Sequence, residues 1–223
     1  MSMMNRSELA RIIDHTNLKP DATDDEIMRL CQEARRYGFK AAVVNPVYVQ
    51  LAAKLLQGSE VAVCSVVGFP LGAGTSQTKM FEAEEAMRNG AVEIDMVSNI
   101  GALRSGRLDD VRRDIQSVAS LVKRKGRLVK VIIEAPLLKD EEKVVVCRLA
   151  ENVGVDFVKS CTGFAGAAKV EDIRLMRETV GRRVGVKAAG GIKSYREAVT
   201  MIEAGASRIG TSSGVKIIEE APE

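Results

Sequence analysis

Four ionisable residues interrupt runs that are otherwise apolar: Glu93 and Asp95 within Val92 to Ser98, Lys159 within Phe157 to Cys161, and Lys187 within Gly185 to Ala189. Buried charge is costly unless it is paired or used. One reading is a structural ion pair between Asp95 and either lysine. The other is chemistry at an amine. A free lysine amine near pKa 10.4 is almost wholly protonated at neutral pH and cannot attack a carbonyl. Two ammonium groups about 6 Å apart at an effective dielectric near 20 repel by roughly 3 kcal/mol, which corresponds to about two pKa units. Desolvation lowers an amine further. Lys159 and Lys187 therefore have the makings of a site where one amine stays neutral and nucleophilic, with Asp95 as a carboxylate partner. On charge alone either lysine can be the nucleophile.

Glycine and hydroxyl residues follow the same runs: Thr162-Gly163 after Lys159, Gly190-Gly191 after Lys187, and Gly210-Thr211-Ser212-Ser213-Gly214 after Arg208-Ile209. Such segments offer backbone N–H groups and hydroxyls to an anion. Three of them converging favour a phosphate site over simple chain turns. Other features carry less. His15 beside Asp14 reads best as a hydrogen-bonded structural histidine. Cys161 has no evident partner base. Gly72-Ala73-Gly74 lacks the third glycine of a dinucleotide fingerprint.

The elements that would position these residues repeat along the chain. Short Val- and Ile-rich runs (12–15, 41–45, 61–68, 92–98, 129–134, 157–161, 185–189 and 208–211) alternate with stretches of helical spacing (24–37, 47–57, 76–89, 109–125, 140–152, 170–180 and 195–204). Thr23 opens a capping box ahead of Ile27, Leu30 and Ala34. Gly38, Gly58, Gly90, Gly126, Gly154, Gly181 and Gly205 sit where helices should end. Strands joined by helices must be parallel, and strands apolar throughout suit a sheet covered by helices. About eight such units, with no interrupting linker, predict a closed α/β barrel of the (β/α)8 TIM type with a short N-terminal helix. Residues 1–223 then form one domain. In such barrels chemistry gathers at the C-terminal ends of the strands, with phosphate after the last two.

Composition narrows the classes. Against 30 acidic residues there are 33 basic ones, a surplus of +3 without clustering, which argues against nucleic acid. No apolar run approaches the roughly 18 residues needed to cross a bilayer. A single histidine and four scattered cysteines (Cys31, Cys64, Cys147, Cys161) offer neither a zinc pattern nor a disulfide framework. With no secretory leader pattern at the start, the expectation is a cytoplasmic protein acting on a small molecule. Homo-oligomerisation through the outer helices is left open.

At these residues the chain resembles the 2-deoxyribose-5-phosphate aldolase family. The matching phrases are Ile-Asp-His-Thr-Asn-Leu from Ile13, Val-Val-Gly-Phe-Pro from Val66 and Glu-Ile-Asp-Met-Val from Glu93. They continue with Lys-Val-Ile-Ile-Glu from Lys130, Asp-Phe-Val-Lys from Asp156, Val-Lys-Ala-Ala-Gly-Gly-Ile from Val186 and Arg-Ile-Gly-Thr-Ser-Ser from Arg208. Each phrase alone is weakly specific, whereas the ordered set spans residues 13–213. The resemblance implies a class I mechanism without metal or other cofactor. Lys159 would be the Schiff-base lysine, Lys187 the lysine that tunes it, and Asp95 a proton-relaying carboxylate. It also implies phosphate contacts at Gly163, Gly190, Gly191, Gly210, Ser212 and Ser213, and a polar site lining that includes Asp14 and Lys130. The implied reaction is reversible cleavage of 2-deoxy-D-ribose 5-phosphate to D-glyceraldehyde 3-phosphate and acetaldehyde. The same lysine would serve a transaldolase or an aldolase for another phosphorylated sugar. A non-catalytic phosphate-binding barrel is the rival of another class. Three departures stand out: Lys159-Ser160-Cys161-Thr162 replaces the usual Lys-Thr-Ser-Thr, Val43 stands where a cysteine is common, and no tyrosine follows Tyr195.

Overall fold

The computed structural model of the protein describes residues 4–223. Eight parallel strands close into a barrel in sequence order: β1 (Ile13–Asn17), β2 (Ala41–Val44), β3 (Ala62–Val67), β4 (Glu93–Val97), β5 (Leu128–Ile132), β6 (Phe157–Lys159), β7 (Gly185–Ala189) and β8 (Arg208–Thr211). Strand β8 pairs back onto β1. Around it run α1 (Arg6–Ala10), α2 (Asp24–Tyr37), α3 (Val49–Leu55), α4 (Ser76–Arg88), α5 (Ile100–Arg104), α6 (Leu108–Arg124), α7 (Asp140–Val153), α8 (Val170–Val180), α9 (Tyr195–Glu203) and α10 (Gly214–Glu220). This is the (β/α)8 barrel with a short leading helix that the alternation predicts. Among the described residues no helix is long and apolar enough to cross a membrane.

Local chemistry sets the boundaries. Thr23 caps α2 by accepting from the Glu26 N–H while Glu26 accepts from the Thr23 N–H, and Gly38 ends it in the left-handed conformation at φ 66°. Helix α6 buries Val111, Ile115, Val118, Ala119 and Val122, a stripe at three- and four-residue intervals that lies on the barrel.

Four differences from the sequence expectation stand out. Helices α5 and α10 are too short to display a periodicity, and α10 begins inside the Gly-Ser segment read as an anion loop. Strand β5 stops at Ile132, because Glu134 adopts a left-handed backbone (φ 56°, ψ 55°) that no strand continues. Strand β6 stops at Lys159 rather than Cys161, although the Ser160 N–H still donates to the Lys187 carbonyl at 3.0 Å. The stretch expected as one helix over 47–57 divides into a 3₁₀ turn, Pro46–Tyr48, and α3.

The outward faces of the strands pack on the helices in one large apolar core. A separate small apolar patch inside the barrel is made by Ala41 and Val43 of β2 with Cys64 and Val66 of β3. The charged inward positions are Asp14, Glu93, Asp95, Lys130, Lys159, Lys187 and Arg208, all buried. The usual filling of such barrels is layers of branched aliphatic side chains. Here register matters instead: Asp95 is paired with Lys130, Lys159 with Lys187, and Lys187 with Arg208. Strands lie about 4.8 Å apart, so these side chains meet within the barrel.

A separate buried pair holds two outer helices together. Lys79 Nζ of α4 lies 2.6 Å from Asp114 Oδ2 of α6 and donates to the Val97 carbonyl at 2.9 Å, while the Ser76 hydroxyl donates to Asp114 Oδ1 at 2.8 Å. Asp114→Ala would strand the ammonium in the core. It should destabilise the protein by about 3–5 kcal/mol, lowering the thermal midpoint by roughly 6–20 °C. The double change Lys79→Met with Asp114→Leu should cost less than either single loss, as read by denaturant titration.

Candidate active site

The interior charges form one connected network. Asp95 Oδ2 accepts from Lys159 Nζ at 3.0 Å and from Lys187 Nζ at 2.8 Å, so the two amines lie within two hydrogen-bond lengths of each other. Lys187 Nζ also lies 2.5 Å from Asp14 Oδ2. Lys130 Nζ donates to Asp95 Oδ1 at 2.8 Å and to Glu93 Oε2 at 2.5 Å. Arg208 Nη1 closes the circuit, donating to Asp14 Oδ1 at 2.7 Å and to Glu93 Oε2 at 3.3 Å.

Three carboxylates (Asp14, Glu93, Asp95) thus face four basic groups (Lys130, Lys159, Lys187, Arg208). A buried network approaches neutrality if one basic group gives up its proton. The environment of each group points to Lys159. Burial pushes its amine below the ordinary 10.5, and the nearby Lys187 charge pushes the same way, against the pull of Asp95. The other three go up. Burial alone would lower Lys187, but Asp14 and Asp95 outweigh it. Lys130 rises well above its ordinary value because Asp95, Asp14 and Glu93 surround it. Arg208 rises through Asp14 and Glu93 despite its burial. Correspondingly, Asp95 is held well below the carboxylate range, where the cationic charges of Lys130, Lys187 and Lys159 overcome desolvation. Asp14 is lowered to about 2 by Lys187, Lys130 and Arg208, again against desolvation. The charge repulsion expected between the two lysines is therefore present but secondary to burial, because Asp14 and Asp95 compensate Lys187.

A cleft of about 560 Å³ opens over the C-terminal ends of the strands. Lys159 lines it, whereas Lys130, Lys187 and Asp95 do not. Lys130 and Lys187 are fully buried, and Arg208, though 5% exposed, does not line the cleft, so Lys159 is the one basic group of the network that a ligand in the cleft can touch. Gly163, Gly190, Gly191, Gly210 and Ser212 line the same cleft, with Lys193 and Lys19 nearby. Ser213 does not line it; its N–H donates to Thr211 Oγ1 at 2.9 Å. A Cβ at position 210 would lie 2.9 Å from Lys187 Cε and 3.0 Å from Ala189 Cβ, so any larger residue there would push on the Lys187 side chain. A larger groove of about 920 Å³ lies at the opposite end, beside Lys40 and Val61 that precede β2 and β3. None of the buried network reaches it.

Other residues fall into place around this centre. His15 is buried and its Nε2 lies 2.7 Å from Glu33 Oε2; burial outweighs Glu33 and lowers its pKa, so the neutral ring donates Nε2–H. Cys161 is buried just beyond β6, its thiol donating to the Ala189 carbonyl at 2.8 Å, and so ties the loops after β6 and β7 together. Burial pushes that thiol up, away from nucleophilic character. Sequence reasoning missed Arg208 as a network member, and also the strained Glu134. Glu134 is buried, and its carboxylate accepts from the Thr162 N–H at 3.2 Å, bracing the loop that carries Gly163. Arg208 was legible as a charge inside a strand; nothing local marks Glu134.

The sequence matches the profile of a family described as "DeoC/LacD family aldolase" across residues 9–220. A deoxyribose-phosphate aldolase of Clostridium tetani is 55% identical over 215 residues, covering 96% of this chain and 99% of the relative. One from Thermococcus kodakarensis is 55% identical over 223 residues, covering 99% and 100%. Among solved structures, that of a deoxyribose phosphate aldolase from Aeropyrum pernix, described as a unique tetramer, superposes with a TM-score of 0.91 at 37% identity, covering 96% of this chain and 91% of the other.

Two pH effects follow. Asp14 sits at about 2 against its ordinary 3.8, so the stability it contributes is complete above pH 4 or so and is lost as pH falls toward 2; acid titration followed by circular dichroism checks it. Lys187→Leu removes a cation beside Lys159 and leaves Asp14 and Asp95 less compensated, so the Lys159 pKa should rise. Reductive methylation with formaldehyde and cyanoborohydride, mapped by mass spectrometry, should then label Lys159 only at more alkaline pH than in the wild type.

Proposed function

The chain belongs to the DeoC/LacD family of aldolases, and on that premise we propose that it uses Lys159 as a Schiff-base nucleophile. The reaction is the reversible cleavage of 2-deoxy-D-ribose 5-phosphate to D-glyceraldehyde 3-phosphate and acetaldehyde. The observation that carries the assignment is that Lys159, alone among four interior basic groups, both opens on the cleft and is pushed below its ordinary pKa.

The neutral Lys159 amine attacks the C1 aldehyde of the open-chain sugar, and loss of water gives a protonated imine. That cation occupies the position where an ammonium would sit 3.0 Å from Asp95 Oδ2. Asp95 therefore stabilises the iminium more than the neutral amine from which it forms, and such differential stabilisation is what accelerates a step. Removal of the C3 hydroxyl proton lets the C2–C3 bond break. Its electron pair moves into the imine to give an enamine, and D-glyceraldehyde 3-phosphate departs. Protonation of the enamine at C2 and hydrolysis return Lys159 and release acetaldehyde. In this reading Asp95 relays protons through water, and Lys187 keeps Asp14 and Asp95 in place while adding positive potential at Lys159. The N–H groups and hydroxyls around Gly163, Gly190, Gly191, Gly210 and Ser212 hold the phosphate, with Ser213 supporting the last loop from behind.

The protein is further proposed to self-associate, as the Aeropyrum pernix relative is described as doing, and to work in the cytoplasm. All four of its cysteines are free thiols, which suits a reducing compartment. Light scattering of the purified protein tests the first of these.

Borohydride reduction in the presence of acetaldehyde should leave a two-carbon adduct on Lys159 and on no other lysine. Lys159→Ala should lose the adduct and lower turnover by on the order of 10⁴-fold or more, with its circular dichroism unchanged. Turnover without any lysine adduct would remove the Schiff-base reading. Adduct formation without cleavage of deoxyribose 5-phosphate would point to another phosphorylated sugar.

A further inference from the structure

Asp95 has two oxygens, and the network divides them. Oδ2 accepts from the two amines that flank the chemistry, Lys159 and Lys187. Oδ1 faces the other way, toward Lys130 Nζ at 2.8 Å and the Cys64 thiol at 3.2 Å. Cys64 lies on β3, one step below the pairing of Val66 with Asp95, and is fully buried. It belongs to the small apolar patch inside the barrel, with Ala41, Val43 and Val66 as its neighbours. That patch offers Asp95 no other donor from β2 or β3. The sulfur also lies 3.5 Å from Lys130 Nζ, so Lys130, Cys64 and Asp95 Oδ1 form a compact triangle.

We infer that Cys64 is a positioning residue for the aldol chemistry, acting through Asp95: its thiol donates to Oδ1 and so moderates Oδ2 as the acceptor that holds Lys159 and Lys187. The inference rests on the Schiff-base reading above. Burial, together with the Asp95 charge, pushes the thiol far up, so it is present as S–H, a donor, at every working pH. A carboxylate that has lost this donor is a better acceptor at its remaining oxygen. It then holds the proton of Lys159 more firmly, and less amine is neutral. The charges that face Asp95 are Lys130 from β5, Lys159 from β6 and Lys187 from β7, with Glu93 beside Lys130 and Asp14 beside Lys187. Arg208 reaches Asp95 only through Asp14 and Glu93. Of these groups only Lys130 touches Cys64, at 3.5 Å, and it keeps its contacts with Asp95 and Glu93 when the thiol is replaced, so the pairs of Lys159 and Lys187 with Oδ2 are left in place.

Serine and alanine at this position leave nearly the same small void and differ by one hydroxyl donor. The pH dependence of kcat/KM and of Lys159 trapping by acetaldehyde and borohydride is compared for Cys64→Ser, Cys64→Ala and the wild type. Cys64→Ala should move the limb that reports Lys159 ionisation to higher pH and lower kcat/KM near neutrality about three- to tenfold, the loss of one hydrogen bond. Cys64→Ser should restore both. Equal profiles for serine and alanine, or an alanine profile like the wild type, would overturn the inference. Should the alanine variant fail to fold, the infrared S–H stretch decides. The Cys64 band, assigned by its loss in Cys64→Ser, should lie to the red of those of Cys31 and Cys147 and return toward them in Asp95→Asn; the Cys161 band, itself shifted by the Ala189 carbonyl, is identified separately by its loss in Cys161→Ser. No red shift overturns the role. Absence of a Lys159 adduct in the wild type is a different result, because it removes the Schiff-base reading itself.

Discussion

Three carboxylates serving four basic side chains inside a water-poor barrel create an imbalance that must be relieved somewhere. Lys187, Arg208 and, at 3.9 Å, Lys130 divide Asp14; Lys130 and Arg208 divide Glu93; and three lysines divide Asp95. Lys159 has the smallest share: a single oxygen, which Lys187 also holds. It is also the group that opens on the cleft. A proton lost there leaves every other ion pair intact, whereas a proton lost at Lys187 or Lys130 would leave two or three carboxylate contacts uncompensated. The lowering at Lys159 thus follows from burial and from its small share of the carboxylates, more than from the one lysine beside it.

Such an interior has a structural consequence. Ionic networks in a low dielectric contribute little net stability, since desolvation offsets the attraction. Stability must come from outside the ring of strands, where the apolar core lies. The division lets the interior be arranged for chemistry while the helices hold its geometry. The strained backbone at Glu134 belongs to the same arrangement. A left-handed conformation in a residue other than glycine costs on the order of 1–3 kcal/mol, and here it places a buried carboxylate under the loop that follows Lys159.

Much of this was legible in the chain itself. Strands read from Val and Ile runs fell within a few residues of β1 to β8, because the faces that pack on the helices are apolar and the runs are bounded by glycines or capping residues. Glu93, Asp95, Lys159 and Lys187 stood out because charge inside such a run has few cheap explanations. Hidden from the sequence was how the charges are shared. That depends on register between strands and on side-chain reach, so the common oxygen of Asp95, the closing role of Arg208 and the contact of Cys64 needed three dimensions. Helices α5 and α10 escaped notice because five and seven residues carry no usable periodicity. Glu134 gave no local sign, since a left-handed conformation is unexpected for its residue type.

The claim on which the rest turns is that one interior amine is neutral while its neighbours stay charged. Nitrogen NMR of protein labelled at lysine Nζ, titrated from neutral to alkaline pH and assigned with Lys159→Ala, tests it without substrate. Lys159 should lose its ammonium signature at a pH below the ordinary 10.5, with Lys130 and Lys187 still ammonium at that point. A Lys159 signal that remains ammonium as long as surface lysines do, or a Lys187 signal that titrates first, would contradict the account.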